Sequence, residues 1–305
     1  MTACRRHNQN QRLQPELRER IERHPCFCED ASHYYARLHL PVAPRCNVQC
    51  GFCDRRYDCS NETRPGVTSK LISPQEALER VRLVYERLPN LSVVGIAGPG
   101  DPLANPRLTF ETLELVTTHF PELKLCLSTN GLYLPEHAAR IAALGVGFVT
   151  VSIMAVDPVI AAQIYLWVRL DGKILRGREA AEVMIERQLK GLRMLAESNV
   201  LVKVNTVLIP GLNSEHIPKL AQRVKAEGAG MLNIMPLIPV SGSAFAQRHA
   251  PTFLEVLNTR SVASETIHLI QHCRQCRADA VGRLGEDLSG EMEGLFLEKQ
   301  NQNDR

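Results

Sequence analysis

Residues 46–53 read Cys46-Asn47-Val48-Gln49-Cys50-Gly51-Phe52-Cys53, which places three cysteines in the spacing C-x3-C-x2-C. Structural zinc sites and ordinary ferredoxin clusters usually take four protein ligands. Three thiolates on one loop can instead hold a [4Fe–4S] cluster by three of its irons, which leaves the fourth iron open to a substrate or cofactor. The alternative is a zinc site completed by a distant His or Cys, although zinc motifs normally begin with C-x2-C or C-x4-C pairs.

Strand-like and helix-like segments alternate along the chain around this cysteine loop. Short apolar runs predict six strands, at residues 38–42, 92–97, 123–127, 147–154, 200–208 and 232–235. Apolar residues at helical spacing lie between these runs, and Ser73-Pro74-Gln75-Glu76 has the pattern of a capping box that starts a helix. The alternation predicts an α/β fold with a parallel sheet, in the form of a partial (β/α)6 TIM-like barrel.

Three loops directly follow predicted strands: the cysteine loop, Gly98-Pro99-Gly100-Asp101-Pro102 and Ser128-Thr129-Asn130-Gly131. Sites in such folds form at the C-terminal ends of the strands, so we expect the three loops to converge on one face. Glycines in the second loop would let its backbone approach a ligand without a Cβ in the way. Taken alone, this loop is an ordinary Gly- and Pro-rich turn, and only its position after the second strand favours a binding loop.

The composition is that of a soluble globular protein. The 305 residues have a formal net charge of +3, with 44% hydrophobic and 23% charged residues, so neither nucleic acid nor a membrane is a predicted partner. Residues 1–30 lack the apolar core of a signal peptide, and the longest uncharged stretch, residues 143–156, is shorter than the ~20 residues of a membrane span. We predict a cytoplasmic protein with a core at residues 31–240 between irregular extensions at residues 1–30 and 241–305.

The chain contains ten cysteines. Disulfides are poor candidates for them, because the cytoplasm is reducing. Metal binding is the better general account, and Cys273-x2-Cys276 is a chelating pair in its own right. The alternative for that pair is half of a zinc site that lacks two partners.

The cysteine loop after the first strand, with Phe52 just before its last cysteine, resembles the radical S-adenosylmethionine (SAM) superfamily. The resemblance implies that the open iron chelates the methionine part of SAM, and that one electron from the cluster cleaves SAM to a 5′-deoxyadenosyl radical. Residues 98–102 fall where this superfamily carries a SAM-binding loop, and they match it in position and type rather than letter for letter. The candidates for contact with SAM, many of which are also plain strand-end residues, are Phe52, Gly98, Pro99, Gly100, Asp101, Thr129, Asn130, Ser152, Asn205 and Thr206.

Longer stretches resemble one family of that superfamily, NifB, over about residues 24–287. These stretches are His24-Pro25-Cys26, His39-Leu40-Pro41-Val42-Ala43-Pro44, Arg55-Arg56-Tyr57-Asp58-Cys59-Ser60-Asn61-Glu62-Thr63-Arg64-Pro65-Gly66-Val67, Ala155-Val156-Asp157-Pro158, Asn205-Thr206-Val207-Leu208-Ile209-Pro210-Gly211, Asn233-Ile234-Met235-Pro236-Leu237-Ile238-Pro239-Val240 and Gln271-His272-Cys273-Arg274-Gln275-Cys276-Arg277. The resemblance implies an enzyme of nitrogenase cofactor biosynthesis that binds two further [4Fe–4S] clusters as substrates. One SAM would donate a methyl group and a second would supply the radical, so that the clusters fuse into an eight-iron product with a central carbide.

The same resemblance assigns further residues to the two substrate clusters. Cys59 and Cys126 would ligate one of them together with a histidine, which is His39, with His24 as a competing candidate. The ligands of the other would be Cys26, Cys273 and Cys276. From the residues alone, Cys126 is also open to being a buried apolar cysteine, and His39 a satisfied core histidine.

The resemblance gives catalytic roles to Glu62 and to the cluster ligands Cys46, Cys50 and Cys53. Glu62 would stabilise a cluster or move protons while the carbide forms. The alternative for Glu62 is a loop carboxylate paired with a neighbouring arginine.

Members of this family often carry a C-terminal NifX-like domain, and the chain ends too soon for one, so the resemblance implies a stand-alone form. Its partners would be an iron–sulfur cluster donor, a reductant, a cofactor carrier protein and a downstream nitrogenase assembly scaffold. Two other functions stay open: a generic radical SAM enzyme for a small molecule or peptide, and a non-catalytic iron–sulfur scaffold or electron carrier. A generic radical SAM enzyme would give no role to the cysteines outside residues 46–53. An iron–sulfur scaffold or electron carrier would not need an iron with an open coordination position.

Overall fold

Parallel strands connected by helices organise the chain. The computed structural model describes residues 15–61 and 63–303. The helices are α1 (Pro15–Ile21), α2 (Glu29–Ser32), α3 (Pro74–Arg87), α4 (Pro106–His119), α5 (Leu134–Ala143), α6 (Pro158–Ile164), α7 (Gly177–Glu197), α8 (Ile217–Ala226), α9 (Phe253–Ser264) and α10 (Ser289–Asn303). The strands are β1 (Ala36–His39), β2 (Val48–Cys50), β3 (Leu91–Ile96), β4 (Lys124–Thr129), β5 (Val146–Ser152), β6 (Tyr165–Leu170), β7 (Lys173–Leu175), β8 (Leu201–Leu208), β9 (Met231–Pro236), β10 (His268–Leu269) and β11 (Val281–Gly282).

The main sheet has eight strands in the order β10-β9-β8-β5-β4-β3-β1-β11. Its six inner strands, from β9 to β1, all pair in parallel. They correspond to the six strands predicted from the apolar runs, and the predicted partial (β/α)6 barrel is confirmed. The outer strands come from the C-terminal segment: β10 pairs in parallel with β9, and β11 pairs antiparallel with β1.

Side-chain alternation gives the sheet two faces. Leu38, Leu127 and Val202 lie in the main hydrophobic core, together with apolar residues of the helices that cover the outer face. Because successive side chains of a strand point to opposite faces, their neighbours His39, Cys126 and Lys203 point to the interior of the partial barrel. The candidate ligands His39 and Cys126 are therefore on the interior face.

The interior is covered by residues 21–31 near the amino-terminal ends of the strands. Phe27 is 1% exposed and packs in one apolar cluster with Phe148 of β5, Leu201 of β8 and Met231 of β9. The expectation of an irregular N-terminal extension is wrong for residues 15–32, because α1 and α2 form there and bury apolar side chains against the sheet.

Helix α3 shows how local sequence sets a helix start. The Ser73 side chain accepts a hydrogen bond from the Glu76 N–H, and the Glu76 carboxylate accepts one from the Ser73 N–H. This is the predicted capping box, and such a cap stabilises a helix by about 1 kcal/mol. Within the described part of the chain, no helix is long and apolar enough to cross a bilayer.

A second, three-stranded sheet has the order β2-β6-β7 and was not predicted. Its strand β2 lies inside the cysteine loop and pairs antiparallel with β6. Strands β6 and β7 form a hairpin whose turn residues Asp171 and Gly172 both have positive φ, 49° and 79°. Asp-Gly is a typical sequence for such a two-residue turn. The hairpin therefore fixes the backbone of the cysteine loop.

The C-terminal segment also differs from the expected irregular extension. Residues 253–303 contain α9, α10 and the two outer strands of the main sheet. Helix α9 begins with a second capping box, formed by Thr252 and Glu255. The segment returns the chain to β1, so Cys273 and Cys276 approach the strand that carries His39.

Candidate functional site

Cys46, Cys50 and Cys53 lie on a loop with a well-defined backbone. The Gly51 N–H donates to the Ile164 carbonyl at 2.8 Å, and the Gly51 carbonyl accepts from the Phe245 N–H at 2.8 Å. Within the loop, the Gln49 amide nitrogen donates to the Cys53 carbonyl at 2.7 Å. The spacing of the three cysteines is thus fixed by the protein before any ligand is considered.

The three thiols are half-buried and close enough to influence one another. They pack against the apolar cluster that contains Phe52 and Tyr165. Burial raises the pKa of Cys46 to about 11 and that of Cys50 well above its ordinary value, and neighbouring thiolates add to the rise at Cys50. A metal would have to displace these protons, because thiolate is the ligating form.

The donor set of this loop consists of thiols, the ligands that iron–sulfur clusters take. In residues 15–61 and 63–303, no group of three His, Cys, Asp or Glu side chains is placed to hold a single metal ion. Three neighbouring thiols on a rigid loop suit the more widely spaced irons of a [4Fe–4S] cluster. None of the nine cysteines in these residues forms a disulfide.

The loop at residues 98–102 lies directly against the cysteine loop. The Gly100 N–H donates to the Ala43 carbonyl at 2.6 Å, and the Asp101 N–H donates to the Arg45 carbonyl at 2.8 Å. A Cβ on Gly100 would overlap the Arg45 carbonyl. The structure thus explains Gly100 by a close approach of two backbones.

Asp101 links the ends of two strands. Its buried carboxylate accepts hydrogen bonds from the Thr129 hydroxyl at 2.9 Å, the Asn130 N–H at 2.6 Å and the Leu103 N–H at 2.9 Å. Burial raises its pKa, and these hydrogen bonds act in the opposite direction. Asp101 therefore fixes the loop after β3 relative to the loop after β4.

Asn130 completes the connection to the cysteines. Its side-chain nitrogen donates to the Asn47 side chain at 2.7 Å and lies 3.6 Å from the Cys46 sulfur. The predicted convergence of the three loops is confirmed by these contacts.

The other predicted SAM contacts have backbone or strand-to-strand partners. The Thr206 hydroxyl donates to the Ile153 carbonyl at 2.6 Å, and the Asn205 side chain contacts Asn233. The Ser152 carbonyl accepts a hydrogen bond from Gln188 at 2.8 Å. Their contact with SAM stays a prediction.

Sequence reasoning did not identify Gln188, a buried residue of α7. Its side-chain nitrogen also donates to the Asn130 carbonyl at 2.8 Å, so it holds the ends of β4 and β5 together. The position of this polar residue on the apolar face of a long helix could have indicated a buried polar role for Gln188.

A pocket of about 500 Å³ opens beside Cys46. Its charged and aromatic lining comes from Arg45, Arg55, Arg169, Trp167 and Tyr133. None of the three arginines forms an ion pair with a carboxylate within the described residues. The pocket connects the cysteine loop to solvent through a positively charged entrance.

Cys26, Cys273 and Cys276 come together from opposite ends of the chain. Burial, together with the nearby Cys276 and Cys273, raises the pKa of Cys26 to about 11. The His272 ring nitrogen Nε2 lies 3.0 Å from the Pro25 carbonyl and donates to it. This contact ties the N-terminal segment to the C-terminal pair.

His39 and Cys126 lie on either side of Gly95. A Cβ at Gly95 would be 3.4 Å from the His39 ring and 3.5 Å from Cys126 Cβ. His39 Nδ1 lies 3.1 Å from the Arg277 carbonyl, which can only accept, so Nδ1 carries the proton and Nε2 has a free lone pair. Burial lowers the pKa of His39 to about 4, which keeps the ring neutral, as a metal ligand must be.

His24 has the opposite arrangement. Its Nδ1 accepts a hydrogen bond from the Cys26 N–H at 3.2 Å, so this lone pair is used within the protein. The geometry favours His39 over His24 as a ligand. Cys59 is half-buried, and its N–H donates to the Pro99 carbonyl at 2.8 Å. Glu62 lies outside the described residues, so its catalytic role stays a prediction.

Comparison with known proteins agrees with this geometry. Residues 40–224 match the family model of the radical SAM superfamily. The FeMo cofactor biosynthesis protein NifB of Frankia alni is 50% identical over 281 residues, covering 90% of this chain and 55% of that protein. The protein of the same name from Klebsiella pneumoniae is 51% identical, covering 91% of this chain and 60% of that protein. The predicted resemblance to NifB is confirmed, although the chain spans less than two thirds of the length of these relatives.

Solved structures show the same fold at low sequence identity. The chain resembles Streptococcus suis SuiB bound to its precursor peptide SuiA, with a TM-score of 0.56 and 14% identity, covering 85% of this chain and 54% of that one. It also resembles methylornithine synthase, with a TM-score of 0.54 and 14% identity, covering 83% of this chain and 67% of that one. With a matching family model over more than half of its length, the chain belongs to the radical SAM superfamily.

Proposed function

We propose that this chain is a radical SAM enzyme of FeMo cofactor biosynthesis, and that its substrates are two [4Fe–4S] clusters. The observation that carries the proposal is the grouping of the cysteines outside residues 46–53. They do not scatter over the surface: Cys126 faces the interior of the partial barrel, and Cys26 gathers with Cys273 and Cys276 beside it. A generic radical SAM enzyme for an organic substrate leaves these thiols without an assigned role.

The cysteine loop would hold the SAM-binding cluster through Cys46, Cys50 and Cys53. Bound together, the cluster and SAM supply a 5′-deoxyadenosyl radical. The protein's part is to fix the loop of the three thiols through β2, to keep water away with the apolar cluster around Phe52, and to order the neighbouring loops through Asp101.

The substrate clusters would be held by two further groups of ligands. We assign His39, Cys59 and Cys126 to one cluster, with the proton on His39 Nδ1 fixed by the Arg277 carbonyl. The ligands of the other cluster would be Cys26, Cys273 and Cys276. One SAM would provide the methyl carbon, and the radical from a second would remove one hydrogen atom from it. The two remaining hydrogens would be lost as the carbon becomes the carbide of an eight-iron product.

We expect this function to require several partners. They are an iron–sulfur cluster donor, a reductant, a cofactor carrier protein and a nitrogenase assembly scaffold. The arginine-lined pocket beside Cys46 is the surface where we expect a negatively charged reductant to approach, because complementary charge speeds encounter.

Two cysteine variants test the division of roles. After anaerobic reconstitution with iron, sulfide and SAM, Cys50→Ala should lose SAM cleavage altogether. Cys273→Ala should still form 5′-deoxyadenosine but should not yield a fused cluster that activates cofactor-free nitrogenase.

The result that would refute the proposal is full yield of the eight-iron product from the Cys273 variant. A wild-type protein that cleaves SAM but holds one cluster instead of three would point to a generic radical SAM enzyme. A protein that holds clusters but never cleaves SAM would point to an iron–sulfur scaffold.

A further inference from the structure

A lysine is buried in the interior, and none of the carboxylates that the structure describes is its partner. Lys203 points inward from the middle of β8 and is 7% exposed. Its Nζ lies 4.6 Å from the centre of the Phe27 ring. The ion pairs found in the described residues do not include Lys203. A contact with an aromatic ring offsets only a part of the hydration free energy that a buried ammonium loses.

A second buried cation lies on the same side of the sheet. Arg37 of β1 is 3% exposed, and its guanidinium donates to the Gly282 carbonyl, to the Arg283 carbonyl at 2.8 Å and to the Cys276 sulfur at 3.2 Å. It likewise has no carboxylate partner in the described residues. The carboxylates of that region, Asp279 and Glu286, are paired with other arginines.

Both cations lie near the same thiols. The Arg37 guanidinium donates to the Cys276 sulfur, and the Phe27 ring next to Lys203 belongs to the apolar cluster against which Cys26 and Cys273 pack. Two cations without a carboxylate counter-ion among the described residues therefore lie beside a group of three potential thiolates. This arrangement suits a guest that is itself negatively charged.

We propose that Lys203, assisted by Arg37, supplies the counter-charge for an anionic thiolate-ligated iron–sulfur cluster at Cys26, Cys273 and Cys276. The inference rests on the proposed function, since that function places a cluster there. Three thiolates and the core sulfides carry more negative charge than the irons of such a cluster balance. Net charge and nearby charged groups also set the reduction potential of a cluster.

Lys203 should also affect the stability of the cluster-free protein. A buried charge without a partner destabilises a fold, and apolar replacement of buried charges is often stabilising. Lys203 should therefore reduce the stability of the empty protein while it strengthens cluster binding. Such an opposition between stability and function is typical of functional sites.

The test uses the full chain with Cys46, Cys50 and Cys53 replaced by Ala, so that iron reports only on the other ligands. Lys203→Met is made in this background, with Lys203→Arg to restore the charge. Lys124→Met is the matched control: Lys124 lies on the same side of the sheet, is half-buried, and has its Nζ 5.6 Å from the Phe148 ring. The measurements are the thermal midpoint of the iron-free protein, and the chelator concentration that removes half of the iron after anaerobic reconstitution.

We expect Lys203→Met to raise the thermal midpoint and to lower the chelator concentration about tenfold, the size expected from losing one charged contact. Lys203→Arg should stay near the parent in iron retention, and so should Lys124→Met. Equal iron retention in Lys203→Met and its parent would overturn the proposal. If Lys203→Met does not fold, the same comparison is made with Lys203→Gln, whose unchanged retention would be equally decisive. A parent that binds no iron at all would instead count against the proposed function.

Discussion

At the residue scale, Gly100 is a position with no room for a side chain. Gly100→Ala would push its Cβ into the Arg45 carbonyl and separate the loop at residues 98–102 from the cysteine loop. Overpacking of this kind costs about 1–3 kcal/mol. We expect chemical denaturation to show that loss, together with weaker SAM binding. Gly147→Ala is the control, since its Cβ would meet no atom within 4 Å, and a similar loss there would contradict the explanation.

His216 gives a pH-dependent prediction. Its Nε2 accepts a hydrogen bond from the Val156 N–H at 2.9 Å, and burial lowers its pKa. The folded ring stays neutral at a pH where the unfolded ring, with its ordinary pKa near 6.5, takes up a proton. The unfolded state therefore binds more protons, and the stability that His216 contributes above that pH is lost as the pH falls.

Thermal melts of wild type and His216→Gln measure this effect. The Gln side chain keeps an acceptor oxygen and does not titrate. The wild-type melting temperature should fall more steeply than that of the variant between about pH 7 and pH 5. Parallel curves would show that His216 is not among the groups responsible.

At the element scale, the hairpin of β6 and β7 should stabilise the cysteine loop. Gly172 has a φ of 79°, so Gly172→Val places a branched side chain in the left-handed region at a cost of about 1–2 kcal/mol. Hydrogen exchange should become faster for the amides of β2 and β6 and stay unchanged for those of β4 and β5. Uniform acceleration in all four strands would mean that the hairpin is not an independent support.

The elements also show where sequence reasoning succeeds. The six inner strands are apolar runs buried on both faces, so their pattern is legible without tertiary information. Strand β2 has only the residues Val48-Gln49-Cys50, and it forms because the hairpin pairs with it. The Asp171-Gly172 sequence is a typical hairpin turn and could have predicted this hairpin. Strands β10 and β11 have two residues each, so they depend on the sheet that they join and could not be predicted from their own sequence.

The candidate site was predicted less evenly. The convergence of the three loops could be predicted, because each loop follows a strand of the sheet. The interior position of Cys126 could not be predicted, because the strand register decides which face of the sheet a side chain takes. Lys203 was missed, since nothing in its local sequence distinguishes a buried lysine from an exposed one. The predicted boundaries of the core, at residues 31 and 240, stay a prediction.

At the scale of the whole molecule, the N-terminal segment is part of the core. Phe27→Ala should destabilise the protein by about 3–5 kcal/mol, because the ring is fully buried between Phe148 and Lys203. Phe253→Ala is the matched control, since Phe253 is 82% exposed and its loss should change stability by less than about 0.5 kcal/mol. Equal effects in urea unfolding would show that residues 21–31 do not close the barrel.

The contact between Pro25 and His272 joins positions 247 residues apart. Domains on the ribosome begin to fold from their N-terminal side as the chain emerges. The group of Cys26, Cys273 and Cys276 can therefore form only after residue 276 has left the ribosome. Cargo held by those three thiols is loaded only after that point, and a ribosome that stalls before it would release a chain with no place for that cargo.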